Sequence, residues 1–301
     1  MTTKISVETA DGRVFESVYA YGVTYRSSVL EHIPGRDLAG HIENVMNMDI
    51  RDDDMYLASY QKSGTHWVWE IMNMLRKRSA EYERKVKDSA MLDMLTMEKA
   101  EQMNSPRILN CHYPPKLIPK QILKKKIKIV HVQRNPKDVC VSAYHHIASF
   151  SPYPGVKTFG DFLPFMLGTN GIDFFYPWCQ YVKEWESFSK KHPEQILNLY
   201  YEDLKEDPVR EIQKINEFLN TGCSAELISQ ISQACDFSNL QRADTEVKEM
   251  DFFKSRGKNP MYRKGEVGDW KNWFTVAQSE QMDAWLQTNM AGSQLSFRYT
   301  L

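Results

Sequence analysis

The chain has 301 residues, and its 38 lysines and arginines nearly balance 39 aspartates and glutamates, which gives a formal net charge of −1. That balance excludes a protein that coats nucleic acid or an anionic membrane through its overall charge. Hydrophobic residues make up 42% of the chain, enough for a sizeable core, so disordered and fibrous classes are also excluded. The five cysteines include no C-x-x-C pair of the kind that zinc and redox sites use, which favours a reducing compartment.

We expect no targeting signal at the N-terminus. Residues 1–20 are polar with scattered acids and lack the basic-then-apolar order of a secretory leader. No apolar run approaches the roughly 18 to 20 residues that a bilayer-spanning helix needs. The sequence therefore predicts a cytoplasmic protein without a membrane partner and, since no internal repeat is present, a single domain over residues 1–301.

Four segments have the composition of strands: residues 55–60, 107–112, 128–133 and 195–202. Each is short, rich in β-branched or aromatic residues, and bounded by charge or a turn residue, and stretches with helical spacing separate them. Alternating strands and helices predict an α/β domain with a central parallel sheet and helices on both faces. In such sheets ligands bind beyond the carboxyl ends of the strands, so the residues that follow each strand are the candidates for function.

The first candidate follows residues 55–60, where Lys62-Ser63-Gly64-Thr65 precedes a helical pattern. A glycine permits a tight strand-to-helix turn, and the amide groups at a helix N-terminus, with a lysine and hydroxyls beside them, favour a phosphate. This predicts a P-loop-like strand-loop-helix, although it is not a Walker A motif, because the lysine precedes a single glycine. The alternative is an ordinary turn in which a hydroxyl caps the helix.

Two further cationic segments are candidates for a second phosphate. Arg134 and Lys137 follow the third strand, with Ser142 in the next helix, and a guanidinium binds phosphate through two parallel hydrogen bonds. Arg263 and Lys264 precede Gly265, which indicates backbone approaching a phosphate. A solvated charged turn is the alternative at each place. Taken together, the three sites indicate a ligand with phosphates at two separated positions.

Histidines supply the candidate chemistry. His112 ends the second strand, where a histidine with a near-neutral pKa can act as a general base, although a purely structural histidine is the alternative. No metal is expected. His145 and His146 are adjacent, so in a helix they point about 100° apart, and no cysteine or carboxylate completes a ligand set.

Residues 236–259 are polar and highly charged and have no clear period, which predicts a long mobile loop. Loops of that length in compact domains often act as lids. Six aromatic residues would either line an apolar pocket or pack in the core. They are Phe150, Tyr153, Phe174, Phe175, Tyr176 and Trp178.

These motifs resemble those of the cytosolic sulfotransferases, which use 3′-phosphoadenosine 5′-phosphosulfate (PAPS). Residues 60–67, YQKSGTHW, are similar to the family's YPKSGTTW loop around the 5′-phosphosulfate, and residues 134–142 are similar to its 3′-phosphate site. Residues 200–203, 263–272 and 290–298 also align with family signatures. The resemblance therefore covers essentially the whole chain.

The resemblance implies catalytic roles for three residues. His112 is the base that deprotonates the acceptor hydroxyl, and Lys62 stabilises charge on the bridging oxygen. Ser142 binds the 3′-phosphate and restrains Lys62 until the acceptor is present. The implied PAPS-binding residues are Lys62, Ser63, Gly64, Thr65, His66, Trp67, Arg134, Ser142, Tyr201, Cys235, Phe237, Met261, Arg263, Lys264 and Gly265. The implied acceptor-binding residues are Asn110, His112 and Phe150.

Four positions depart from the family pattern. Gln61 replaces a proline and His66 replaces a threonine in the first loop. Asn110 stands where many members have lysine, and Cys235 stands where threonine often donates to the cofactor. We expect these four positions to affect acceptor choice and turnover, and to have less effect on the fold.

We therefore expect a PAPS-dependent, metal-free sulfotransferase that makes sulfate esters of small apolar phenols or alcohols, steroid-like ones included, and releases adenosine 3′,5′-bisphosphate (PAP). The alternatives are a catalytically impaired family member that still binds PAPS, and a nucleotide-dependent phosphotransferase. Residues 271–280, from Lys271 to Glu280, resemble the family's dimer segment, so a homodimer is expected. The alternative for that segment is a plain helix start capped by Thr275.

Overall fold

The structure is a computed structural model, and it describes residues 1–8, 12, 14–150, 153, 155–248 and 262–301. A central sheet contains four parallel strands in the order β5-β4-β6-β7. Their bounds are β4 Met55–Ser59, β5 Ile108–Cys111, β6 Ile129–Gln133 and β7 Ile196–Tyr200. Each lies within two residues of its predicted bounds, so the predicted parallel sheet is confirmed.

Helices connect these strands. Their bounds are α1 Leu38–Asn47, α2 Thr65–Lys77, α3 Met97–Glu101, α4 Gln121–Lys124, α5 Pro136–Phe150, α6 Phe159–Leu167, α7 Trp178–Lys191, α8 Tyr201–Glu206, α9 Pro208–Leu219, α10 Ala225–Ala234, α11 Phe237–Glu246 and α12 Val276–Asn289. Short 3-10 helices occupy Ser27–Glu31, Pro34–Arg36, Lys87–Ala90, Pro115–Leu117 and Asp269–Asn272. No helix in the described ranges is both long enough and apolar enough to cross a membrane.

The sheet is covered on both faces because successive strand residues point to opposite sides. In β4, Tyr56 and Ala58 belong to one buried cluster and Leu57 to the other. In β6, Ile129 and Val130 divide in the same way. The first cluster includes α1, α5, α6 and α7, and the second includes α2, α9 and α10. Strands buried on both faces are continuously apolar, which is why the sequence pattern revealed them.

An N-terminal antiparallel sheet was not predicted from the sequence. Its strands are β1 Thr3–Glu8, β2 Val14–Ala20 and β3 Val23–Arg26, in that order. Tyr21 and Gly22 join β2 to β3 with φ values of 54° and 89°, as a two-residue hairpin turn requires. The amide of Thr24 donates to the carbonyl of Phe175 at 2.7 Å, which fixes the sheet against the first cluster. The Tyr21-Gly22 pair was therefore the sequence signal for this hairpin.

The predicted loop over residues 236–259 is wrong for its first half. Residues 237–246 form α11, and the Asp236 side chain caps it by accepting from the amide of Ser238. Leu240 and Ala243, three residues apart, are buried and hold one face of the helix. Residues 249–259 lie outside the described residues.

Lys248 anchors the chain just after α11. It is 4% exposed, and its ammonium donates to the Glu70 carboxylate on α2 and, at 2.6 Å, to the carbonyl of Glu83. The same ammonium lies 5.4 Å from the centre of the Trp69 ring. These contacts attach α11 to the helix that begins at the candidate phosphate loop.

A buried ion pair joins the starts of the two adjacent strands β4 and β5. Arg107 precedes β5 and Asp54 precedes β4, and both side chains are 1% exposed. The Arg107 guanidinium donates to Asp54 Oδ1 at 2.8 Å, to the Ala100 carbonyl at 3.0 Å and to the Asp49 carbonyl at 3.1 Å. The guanidinium is therefore satisfied within the protein, and each partner depends on the other.

We predict that Arg107→Met lowers the free energy of unfolding by about 3–5 kcal/mol, because it leaves the Asp54 carboxylate buried without its cation. Urea denaturation measures this loss, and Lys99→Met, at an exposed position, is the control. Adding Asp54→Leu should recover much of the stability. A loss in the double variant as large as in Arg107→Met would contradict an electrostatic origin.

Candidate active site

A cavity of about 1160 Å³ opens beyond the carboxyl ends of the parallel strands. Each strand contributes the residue or loop that follows it: the Lys62 loop after β4, His112 after β5, Arg134 after β6 and Tyr201 after β7. The structure brings fourteen predicted site residues to the lining: Lys62, Gly64, Thr65, His66, Trp67, His112, Arg134, Ser142, Tyr201, Cys235, Phe237, Arg263, Lys264 and Gly265.

Five predicted residues do not belong to the described lining. Ser63 is 1% exposed and lies beneath it, and Lys137 instead donates to the Ser279 hydroxyl at 2.8 Å. Asn110 is fully buried and is not part of the lining, since its amide donates to the carbonyl of Lys87 at 3.1 Å. Met261 lies outside the described residues, and the Phe150 side chain is likewise not described. Their predicted roles in binding stay predictions.

The loop between β4 and α2 has the geometry of an anion cradle. Lys62 and Gly64 have φ values of 68° and 105°, which turn the chain sharply into the N-terminus of α2. The hydroxyls of Ser59 and Thr65 share a hydrogen bond of 2.6 Å across the loop. Within the described part of the chain, the buried Ser63 hydroxyl has no hydrogen-bond partner. A buried polar atom of this kind fits an external anion.

Lys62 reaches into the cavity and donates to Nδ1 of His146 at 3.4 Å. Burial lowers the pKa of Lys62 to about 8, and the charges of Lys87 and Arg134 act in the same direction. His146 lies one turn after Ser142 on α5, so α5 does hold the Lys62 side chain. The predicted restraint of Lys62 by Ser142 itself stays a prediction.

His66 occupies the start of α2 as a neutral group. Burial lowers the pKa of His66 to about 3, and the neighbouring charge of Lys87 lowers it further. Its Nε2 atom lies 3.8 Å from Oδ1 of Asp88. A neutral imidazole carries one N–H group, so His66 can still donate a hydrogen bond where a threonine hydroxyl would.

His112 is held in one tautomer. Its Nδ1–H group donates to the carbonyl of Ser59 at 2.9 Å, since a carbonyl only accepts, and this leaves the Nε2 lone pair unprotonated. Its backbone amide donates to the Asp93 carboxylate at 3.1 Å. Burial lowers the pKa of His112 below its ordinary value, although Asp93 opposes the shift. His112 is therefore a neutral base at neutral pH.

Arg134 lies between the loop and the far wall of the cavity. Its guanidinium donates to the carbonyls of Lys62 and Glu266, both at 3.2 Å, and its carbon Cζ lies 4.2 Å from the centre of the Tyr201 ring. Trp67 meets the same ring edge-on, with centroids 5.5 Å apart. Nε of Arg134 is buried and finds no partner in the described ranges. This aromatic wall with a free donor suits a nucleotide.

The cationic segment after residue 262 forms the other rim. Arg263 and Lys264 both bind the Asp269 carboxylate, the latter at 2.6 Å. The amide of Gly268 donates to Asp138 on α5 at 2.8 Å, which fixes the segment to that helix. Gly265 has a φ of 66°, and a Cβ there would lie 2.2 Å from the Phe237 ring. Glycine is therefore required where this segment meets α11.

Cys235 lies at the cavity wall just before α11. The side chain is buried, and burial raises the pKa of its thiol well above the ordinary value. The thiol therefore stays protonated, and its sulfur lies 3.7 Å from the Met74 sulfur. A weak donor thus occupies the position where the resemblance leads one to expect a threonine hydroxyl.

Sequence reasoning missed one side of the cavity. The segment from β3 through the following 3-10 helix contributes Tyr25, Arg26 and Val29, and the segment before β5 contributes Lys87 and Asp88. Neither follows a strand of the central sheet, so the strand-end rule could not select them. The described residues contain no group of three or more His, Cys, Asp or Glu arranged to hold a metal. The expectation of a metal-free site stays a prediction.

Comparison with known proteins places this chain in a family. The family model described as Sulfotransferase domain matches residues 52–294. Sulfotransferase 1A1 of Mus musculus is 36% identical, over 85% of this chain and 91% of its own length. Sulfotransferase 1 family member D1 of Mus musculus is 37% identical, over 87% of this chain and 91% of its own.

Solved structures share the fold. Mouse sulfotransferase SULT7A1 complexed with PAP superposes with a TM-score of 0.72 at 24% identity, over 92% of this chain and 95% of its own. Retinol dehydratase in complex with androsterone and PAP gives a TM-score of 0.73 at 23% identity, over 94% and 91%. The fold and the matched domain thus define an enzyme that transfers sulfuryl groups. The chain belongs to the sulfotransferase family, and the resemblance seen in its motifs is confirmed.

We predict that Gly64→Ala disables the loop, because a Cβ at this position would lie 2.8 Å from the Tyr201 ring. PAP affinity, measured by calorimetry, should fall by about tenfold or more, which is ~1.4 kcal/mol. Gly292→Ala is the matched control, since Gly292 also has a positive φ, 80°, but nothing within 4 Å. Equal affinity in the two variants would mean that the Tyr201 ring moves aside without disturbing the loop.

Proposed function

We propose that this protein transfers the sulfuryl group of PAPS to the hydroxyl of a small phenol or alcohol, giving a sulfate ester and PAP. One observation carries the proposal: a single cavity joins an anion cradle to a neutral histidine of fixed tautomer. The cradle is the Lys62 loop, and the histidine is His112, whose Nδ1–H is bound to Ser59. An anionic donor and a hydroxyl acceptor would meet between them.

The residues present fit PAPS. The Ser63 hydroxyl and Nε of Arg134 are buried donors without partners in the described part of the chain, and both belong to elements at the cradle. The rim at Arg263 and Lys264 supplies positive charge for a second phosphate, and Tyr201 offers an aromatic face. When bound, PAPS supplies an activated sulfuryl group.

The chain's own residues would position the two reactants, accept the proton of the acceptor and stabilise the leaving group. His112 Nε2 accepts the proton of the acceptor hydroxyl. The Asp93 carboxylate binds the backbone amide of His112, the Ser59 carbonyl binds its Nδ1–H group, and the two contacts hold the imidazole in place. Lys62, with its pKa lowered to about 8, keeps most of its positive charge at neutral pH and stabilises the negative charge that develops on the leaving phosphate oxygen. Fixed donors in a buried site need no reorganisation during transfer.

The acceptor side of the cavity supports an apolar molecule. Val29, Met94, Ile147 and Phe174 line it. The retinol dehydratase structures hold androsterone or retinol, both apolar alcohols, and the same chemical class, including steroid-like alcohols, fits this lining. The family match argues against the phosphotransferase alternative.

We also propose that two copies associate through residues 271–280. Val276 supports this, because it is an apolar residue that is 76% exposed at the start of α12. The Thr275 side chain caps the helix, as the alternative interpretation requires, so capping and association are compatible. Light scattering measures the oligomeric state. A cytoplasmic location stays a prediction.

The function is tested with purified protein, PAPS and a panel of phenols and alcohols, with mass spectrometry of the products. We predict sulfate esters with the wild type and near-complete loss of kcat in His112→Ala, with PAP affinity preserved, because His112 acts on the acceptor and not on the nucleotide. His192→Ala, at the end of α7, is the control. PAP binding without any ester in the wild type would identify a catalytically impaired family member.

The dependence of kcat/KM on pH tests the two proton assignments. Activity should rise with pH below 6.5 as His112 loses its proton, and fall through about pH 8 as Lys62 loses its own. Lys62→Arg keeps a positive charge over this range, so the variant should retain the acidic limb and lose the fall near pH 8. An unchanged basic limb would assign that titration to another group.

A further inference from the structure

Lys87 is a buried cation that the proposed reaction does not use. Its side chain is 3% exposed and lines the cavity, at the start of the 3-10 helix Lys87–Ala90. Burying an ammonium is costly unless an anion compensates it. Asp88 is its anionic partner in the structure, at 3.0 Å between Nζ and Oδ1, and Asp88 is itself 37% exposed.

The position of Lys87 relates it to the sulfuryl end of the cradle. Oδ1 of Asp88 binds the Lys87 ammonium and also lies 3.8 Å from Nε2 of His66, at the start of α2. The Lys87 ammonium is therefore beside the helix N-terminus that would face the phosphosulfate. Its charge also lowers the pKa of Lys62 and of His112, so the Lys87 ammonium lies within electrostatic range of both side chains.

The backbone at Lys87 is held by the strand that positions the base. The side-chain amide of Asn110, in β5, donates to the backbone carbonyl of Lys87 at 3.1 Å. The backbone carbonyl of Asn110 accepts from the backbone amide of Leu92 at 2.8 Å. His112 follows two residues later in the same strand end. Base and buried cation are thus fixed to one element, so their separation is set by the sheet.

The local charge balance leaves room for an anion. Lys62, Lys87 and Arg134 bring three positive charges to this part of the cavity, and Asp88 and Asp93 bring two negative charges, which leaves a surplus of one positive charge. Burial lowers the pKa of the nearby His66, His112 and His146, so these imidazoles are neutral. A neutral hydroxyl acceptor would not balance this surplus positive charge. An anionic group, such as the sulfuryl end of PAPS, would balance it.

We infer that Lys87 is a further catalytic residue, which donates hydrogen bonds to the non-bridging oxygens of the sulfuryl group. The inference rests on the proposed function. Lys87 gives up no proton; it stabilises charge on the group in transfer while Lys62 stabilises charge on the leaving oxygen. Asp88 holds the ammonium in place when no sulfuryl group is present.

PAP and PAPS differ only in the sulfuryl group, so their relative affinities test this contact without an acceptor. Lys87→Met should weaken PAPS binding by about tenfold to a hundredfold, the effect of losing one charge-assisted hydrogen bond, and leave PAP binding unchanged. Lys85→Met, at an exposed position two residues away, is the control and should alter neither affinity. Titration calorimetry of the wild type and the two variants with PAP and PAPS gives all six dissociation constants.

Two further variants separate contact from folding. Asp88→Asn removes the ion pair but keeps Lys87, so it should preserve the affinity for PAPS relative to PAP. Lys87→Arg keeps a cation and should also preserve the affinity for PAPS relative to PAP. This variant provides the test if Lys87→Met fails to fold. An equal loss of PAP and PAPS affinity in Lys87→Met, or the same selective loss in Asp88→Asn, overturns the assignment. Failure of the wild type to bind either nucleotide overturns the proposed function itself.

Discussion

The parallel pairing of β4 with β5 and β6 is the constraint on which the site depends. It aligns the carboxyl ends of the strands, so that the Lys62 loop, His112 and Arg134 emerge side by side. The hydrogen bond from His112 to the carbonyl of Ser59 crosses between two of these ends and sets the tautomer of the base. A backbone carbonyl at the end of β4 thereby determines which ring nitrogen of His112 is available for chemistry.

Electrostatics within the cavity follows from burial more than from any single ion pair. Desolvation is the leading cause of the lowered pKa of Lys62, His66 and His112, and neighbouring cations add to it. The histidines are kept neutral while Lys62, with a pKa of about 8, still carries most of its charge at neutral pH. A site can therefore hold a base and an anion-binding group within one small volume without the two neutralising each other.

The sequence predicted the central sheet because strands buried on both faces are continuously apolar, and it predicted the site because ligands bind at strand ends. Lys62, His112 and Arg134 were accessible to that rule, whereas Tyr201 was indicated by the resemblance to the family. Tyr25 and Lys87 were not, because they reach the cavity from segments whose placement depends on tertiary packing against the first cluster. The N-terminal hairpin was not predicted, although its Tyr21-Gly22 turn is a local sequence signal for a hairpin. Residues 237–246 were interpreted as a loop because their polar composition masked the buried pair Leu240 and Ala243.

The buried contact between Lys248 and Glu70 has a thermodynamic consequence. Glu70 lies on α2, which begins at the Lys62 loop, and Lys248 follows α11, whose Phe237 and Leu240 line the same cavity. Two helices of the cavity wall are therefore joined by one buried ion pair. The binding energies contributed by residues on the two helices should not be independent, because loosening one helix also loosens the other. Affinity for the nucleotide is, in this sense, a property of the coupled pair of helices and not a sum over its contacts.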